Sequence, residues 1–164
     1  MKLKNMFYAL SLVFAMGTFM ACDDDETNIP LVDNPGQAAS GVYSGTWTQV
    51  YDDGAPVTAT GTVTISEGSG PYYANMALAC DDASWNMTGD GWSSAMNISQ
   101  ADYGFVFLNM GGSSVGANDL GCAFSGRISP VEGGDEMILD FTKTVKQGRV
   151  THTYVYHFTG VRGE

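Results

Sequence analysis

The sequence predicts an all-β domain: eight antiparallel strands joined in chain order and closed as an up-and-down barrel. Three observations carry this. Apolar and aromatic residues recur with period two along successive short segments, the spacing that puts alternate side chains on one face of a strand. Clusters of Gly, Pro, Asn and Asp separate those segments at the intervals that tight turns require. Beyond the N-terminal region no stretch shows helical periodicity of useful length. An eight-stranded meander with apolar inner faces removes its edges by closing on itself; a β-sandwich is the alternative architecture.

The chain opens on a basic pair, Lys2 and Lys4, followed by an almost unbroken apolar run from Met6 to Met20. At about 15 residues this run is short of the ~20 that cross a bilayer, so residues 1–21 read as a cleaved signal peptide. Phe19-Met20-Ala21-Cys22, with a small residue directly before a cysteine, resembles the lipobox of bacterial lipoproteins. The resemblance implies that Cys22 becomes the lipidated first residue of the mature chain, and that the membrane is touched through this lipid only. Asp23-Asp24-Asp25-Glu26 is similar to the export tag of surface lipoproteins in Bacteroidetes. That implies an outer-membrane anchor with display at the cell surface, a periplasm-facing protein being the alternative. Four consecutive carboxylates are in any case repelled by anionic headgroups. Residues 22–39 hold too few apolar side chains to bury a core and read as an acidic flexible tether. The 17 residues from Asp23 to Ala39 reach at most about 56 Å.

Residues 40–164 make one domain. In the first strand, Tyr43 to Tyr51, the inward residues are Tyr43, Gly45, Trp47 and Tyr51, and Asp52-Asp53-Gly54-Ala55 is a hairpin signal. The second strand alternates most clearly, with Val57, Ala59, Gly61, Val63 and Ile65 inward and four threonines outward. After the turn Glu67 to Pro71, the third strand places Tyr72, Ala74, Met76, Leu78 and Cys80 on one face. The fourth spans Ser94 to Gln100 with Met96 and Ile98 inward, and the fifth, Phe105 to Met110, is apolar without an alternation that orients it. Cys122, Phe124, Gly126 and Ile128 face inward in the sixth strand, and Met137, Leu139 and Phe141 in the seventh. Lys146-Gln147-Gly148-Arg149 turns into the last strand, whose inner face is Val150, His152, Tyr154, Tyr156 and Phe158.

With eight strands alternating in direction, the end of the third (Cys80) and the start of the sixth (Cys122) both lie at the top and point inward. In an exported chain such an even pair reads as a disulfide. Closing its loop of about 42 residues would stabilise by roughly 4 kcal/mol; two buried thiols are the alternative. Trp47 and Arg162 both fall at the bottom. Gly45-Thr46-Trp47 on the first strand resembles the Gly-x-Trp motif of the calycins, the lipocalins and their relatives, with a similar Gly-Thr-Trp in the avidin-like branch. The resemblance implies a barrel closed by an Arg of the last strand over this Trp, here Arg162, a cation–π contact of about 0.5–2 kcal/mol. It spans Tyr43 to Arg162, and the second lipocalin motif is absent.

The composition excludes several functions. Five Lys and Arg beyond Cys22 (Arg127, Lys143, Lys146, Arg149 and Arg162) stand against 13 Asp and Glu in the domain. A surface of that sign does not bind nucleic acid. His152 and His157, an odd number of residues apart on one strand, face opposite ways and cannot share a metal or a substrate. No nucleophile elbow, zinc spacing or phosphate loop occurs, so neither enzymatic activity nor a metal or cofactor is expected. Asp52-Asp53 and Asp81-Asp82 are turn residues. The remaining signal is at the top, where Trp85 and Trp92 in the loop after the third strand overhang the end carrying His152 and Tyr154. Small barrels hold ligands at such a mouth. These four residues therefore form the expected site for a small apolar or carbohydrate-derived ligand. In the alternative reading Trp85 and Trp92 plug a filled barrel that serves as a protein-interaction or protease-inhibitor module, and the protein partner is not specified by the sequence.

Overall fold

A computed structural model describes residues 31–85, 93–101, 104–109 and 120–163. Eight strands follow one another: β1 (Gly41–Tyr51), β2 (Val57–Glu67), β3 (Tyr73–Cys80), β4 (Ser93–Ala101), β5 (Gly104–Asn109), β6 (Phe124–Val131), β7 (Gly134–Gln147) and β8 (Val150–Gly163). Each pairs antiparallel with the next, and β1 pairs with β8 from Ser44↔Val161 to Tyr51↔Tyr154, so the hydrogen bonds run in a closed ring. We call the end where β1 begins the base and the end where it finishes the rim.

The interior is filled. Tyr43, Trp47, Val63, Met76, Met96, Ile128, Met137, Leu139 and Phe158 are all buried on the alternating positions that the sequence marks as inward, and Phe107 of β5 joins them. A row of glycines makes this packing possible, because Gly45 stands directly opposite both Gly61 and Gly160. A Cβ on Gly61 would lie 2.8 Å from the Trp47 ring, and one on Gly160 would lie 2.4 Å from the Phe158 ring. The two rings therefore lie flat against bare backbone, 4.7 Å apart, and Trp47 Nε1 donates to the Ala79 carbonyl at 2.9 Å.

Arg162 is not over Trp47. It sits one step nearer the base, with its guanidinium 5.4 Å from the Tyr43 ring centre. There it pairs with Asp135 and donates to the carbonyls of Ala38 and Ser40. The physical reason is register: Phe158, not Arg162, is the β8 residue opposite Trp47, and three acceptors at the base outweigh one indole face.

The carbonyls that Arg162 holds belong to a base plug absent from the sequence reading. Residues expected to be tether form a short helix, α1 (Pro35–Ala38), capped by Asn34 with Pro35 at its first turn. Val32 N donates to Gln100 Oε1 at 2.7 Å, Gly36 N to the Pro71 carbonyl at 3.0 Å, and Tyr43 Oη to the Ala39 carbonyl at 2.9 Å. Pro35, Gly36 and Ala39 are buried, so the folded unit begins near Val32 rather than Ser40.

Two further expectations fail. Cys80 and Cys122 are reduced thiols, not a disulfide. Cys80 ends β3 whereas Cys122 lies in a bend before β6, so the two do not occupy facing positions of paired strands. Val57, Tyr72 and Val150, expected inward, are 53, 59 and 55 % exposed. Each lies at or beyond a strand end, where the facing wall has stopped.

Candidate functional site

The rim is uneven, and the unevenness builds a site. β6 begins at Phe124, opposite Phe141, whereas β7 continues to Gln147 and turns back into β8. The β7–β8 hairpin thus projects about 20 Å beyond the β6 side of the ring. Its inner face carries Lys143 opposite Tyr154 and Val145 opposite His152. β1 extends beside it as far as Tyr51, directly opposite Tyr154. The product is a shelf above the packed core.

Aromatic rings pave it. Tyr51 and Tyr154 lie 4.8 Å apart, Tyr154 and Tyr156 stack at 6.4 Å, and Tyr156 stacks on Phe141 of the core at 4.8 Å. His152 packs on the outer end against Tyr51, with ring centres 5.3 Å apart and planes 25° from parallel. Burial falls along this row: Phe141 and Tyr156 are 4 % exposed and Tyr51 is 40 % exposed. A continuous stack rooted in the core therefore ends in an accessible tyrosine.

Polar groups fix the rings. Gln49 Nε2 donates to Tyr156 Oη at 2.9 Å. His152 Nδ1 lies 2.6 Å from Tyr51 Oη and 3.0 Å from Asp52 Oδ2. Asp52 has a left-handed backbone, φ 47°, a conformation that Asp tolerates. It is held across the strand gap: its N donates to the Thr153 carbonyl, and its Oδ1 accepts from Thr153 N, both at 2.7 Å. The hydrogen bond from His152, and after it that from Thr153, holds the Asp52 carboxyl below the usual aspartate range. Burial, and then the Asp52 charge, pushes the Tyr51 phenol up, so Tyr51 is a neutral phenol near pH 7.

Of the four expected ligand-binding residues, His152 and Tyr154 are on this shelf. Trp85, in a 3-10 turn over Ala83–Trp85, is 7 % exposed and meets Tyr156 edge-on at 6.3 Å, so it closes the core instead of lining a mouth. Trp92 lies outside the described residues, as do Cys22 and the signal peptide. Tyr51, Asp52, Gln49 and Lys143 were not among the expected site residues. The inward parity of Tyr51 and Tyr154 at the same end of neighbouring strands was the signal that could have found them.

His157 faces outward, with Nδ1 2.7 Å from Asp140 Oδ1 and Nε2 3.1 Å from Thr159 Oγ1. It stands beside a shallow outer groove of about 430 Å³ lined by Ser125, Arg127 and Ile138 among others. The arrangement is an exposed hydrogen-bond chain on the outer wall. Among the described residues no group of three or more His, Cys, Asp or Glu side chains is placed to hold a metal ion. Burial raises the pKa of both Cys80 and Cys122, the opposite of an activated thiol. No protein-family model, no curated protein and no solved structure matches the chain.

Proposed function

We propose that this protein is a non-enzymatic binding module, anchored through lipid on Cys22 at the outer membrane and displayed at the cell surface. Its ligand is a small carbohydrate-derived molecule taken on the rim shelf. The observation that carries this reading is the tyrosine row, an exposed ring backed by a stack that runs into the core. Such a platform offers a flat apolar face to a sugar ring, with Gln49, Asp52 and His152 beside it for hydroxyl groups. The filled interior argues against the alternative of an apolar ligand swallowed by the barrel. The likeness of Gly45-Thr46-Trp47 to the calycin motif agrees with a ligand-binding barrel, and fold alone does not decide function.

The base plug orients the reading. The tether meets the domain at the base, leaving residues 23–31 between anchor and fold, at most about 30 Å of chain. The shelf then points away from the membrane. A second reading is favoured by the packed interior together with exposed Val106 and Leu108 on β5: a protein partner docked on the outer wall.

Native mass spectrometry of the full chain in detergent, mixed with oligosaccharide and lipid pools, separates these readings. Saccharide adducts that vanish in Tyr51→Ala support the shelf. A clean mass in every pool would defeat it, and adducts indifferent to Tyr51 would move the site elsewhere.

A further inference from the structure

The shelf carries a charge that stacking alone does not use. Three of the five Lys and Arg beyond Cys22, namely Lys143, Lys146 and Arg149, fall on the projecting β7–β8 hairpin. Arg162 is engaged at the base with Asp135, and Arg127 is on the outer wall. A chain of net charge −11 has therefore placed three of its seven Lys and Arg at one edge of the shelf.

Their positions are specific. Lys143 stands opposite Tyr154 and so rises from the shelf's own face. Arg149 is in the turn between Gln147 and Val150, and Lys146 opposes Thr151 on the far face of the same narrow hairpin. Among the described residues neither Lys146 nor Arg149 makes an ion pair. Two acids stand beside the shelf on the β1 side: Asp52, with one oxygen on His152 and the other on Thr153 N, and Asp53, exposed in the same turn. The rest of the acidic body opposes an approaching anion at long range. However, the hairpin tip stands about 20 Å above the β6 edge of the ring, more than twice the ~8 Å screening length at physiological salt, and its two cations with Lys143 outnumber those two acids. The tip's own cations thus dominate the potential there.

From this we infer that the ligand class is acidic: a saccharide bearing carboxylate or sulfate, its ring against Tyr51 and Tyr154 and its anionic group toward the hairpin tip. The inference rests on the shelf being the binding site. Lys146 and Arg149 supply attraction that a neutral sugar would not feel.

The test is a printed panel of neutral, uronate-bearing and sulfated oligosaccharides, probed with the full chain in detergent, with Tyr51→Ala, and with Lys146→Gln combined with Arg149→Gln. Acidic members should bind about tenfold more tightly than neutral counterparts at low salt, the scale of two exposed ion pairs. That preference should fade near 0.5 M salt, where screening shortens to about 4 Å. The double Gln variant should lose the preference and keep its neutral binding, while Tyr51→Ala loses both. Equal binding of neutral and acidic members, or a preference unmoved by salt and by the double variant, overturns the acidic class and leaves the shelf standing. No binding to any member overturns both.

Discussion

Arg162→Met is the sharpest test of how the base is held together. Met keeps much of the aliphatic stem and removes the guanidinium, so lost packing is minimised and lost polar contacts dominate. The carbonyls of Ala38 and Ser40 lose their donor, and Asp135, whose side chain is 27 % exposed, loses its counter-charge. Water can reach Asp135 in part, so the cost falls short of that for a fully buried broken pair. Two charge-assisted bonds, the partly exposed ion pair and the contact with the Tyr43 ring together suggest about 3–4 kcal/mol. For a domain of this size that is roughly 10–15 °C in Tm. Urea unfolding measures the first figure and calorimetry the second. Hydrogen exchange adds a local readout, because the amides of Gly36, Ala38 and Ala39 should lose protection before the barrel strands do. Asp135→Asn should cost less, and the two changes together less than their sum. A loss below about 1 kcal/mol with unchanged exchange in α1 would refute the claim that Arg162 clamps the plug.

Tyr43 should be the last tyrosine to ionise, because burial raises its pKa to about 12. A phenol raised above its unfolded value contributes stability that is fully present below pH ~10 and disappears as pH climbs through ~12; absorbance titration of wild type against Tyr43→Phe isolates that final step. Asp52 is shifted the other way, so its contribution is present above the unfolded carboxylate value near 3.9 and is lost as pH falls through its lower folded value. Carboxyl NMR should show its midpoint rising toward the ordinary one in His152→Ala. Gly61→Ala puts a methyl 2.3 Å from the Ala79 carbonyl oxygen and 2.8 Å from the Trp47 ring. It should cost about 1–3 kcal/mol or more, with a changed Trp fluorescence maximum. Peptide mapping after alkylation at pH 8 should recover Cys80 and Cys122 as separate, slowly modified thiols, with no disulfide-linked peptide.

Strand order and inner faces were legible because alternation is a local signal. Val63, Ile65, Met76, Leu78, Met96, Ile98, Leu139 and Phe158 are buried where period two puts them. β5 resisted because its inner face ends in a polar residue: Asn109 is buried, and its Nδ2 donates to the Ala95 carbonyl at 2.6 Å. No periodicity rule reads such an asparagine as inward. The base plug was hidden for a related reason. Asn34-Pro35 is a helix-start signal, but four residues of helix carry no amphipathic period, and the stability of α1 comes from Pro71, Gln100 and Arg162, all distant in sequence. The contact of Arg162 with Tyr43 instead of Trp47 was lost in the same way. It depends on register along the adjacent strands β1 and β8, and parity states only which way a side chain points.

The filled interior has a consequence for how the proposed ligand is held. A shelf covers one face of a sugar ring, whereas an enclosed pocket buries most of a ligand's surface, so each shelf binds weakly. The stack compensates on a different axis: Tyr51 is positioned by Tyr154, His152 and the Asp52 turn, and Tyr154 by Tyr156 on the Phe141 wall, so little side-chain freedom remains to be lost on binding. Weak single sites on a repeating ligand gain from number. On the proposed membrane anchor, with a tether of about 30 Å or less, neighbouring copies would engage successive units of one saccharide chain, and avidity would then exceed single-site affinity without any new contact. The clamp at the base fits that proposal, because Arg162, Gln100 and Pro71 fix the N-terminal segment at the end of the domain opposite the shelf.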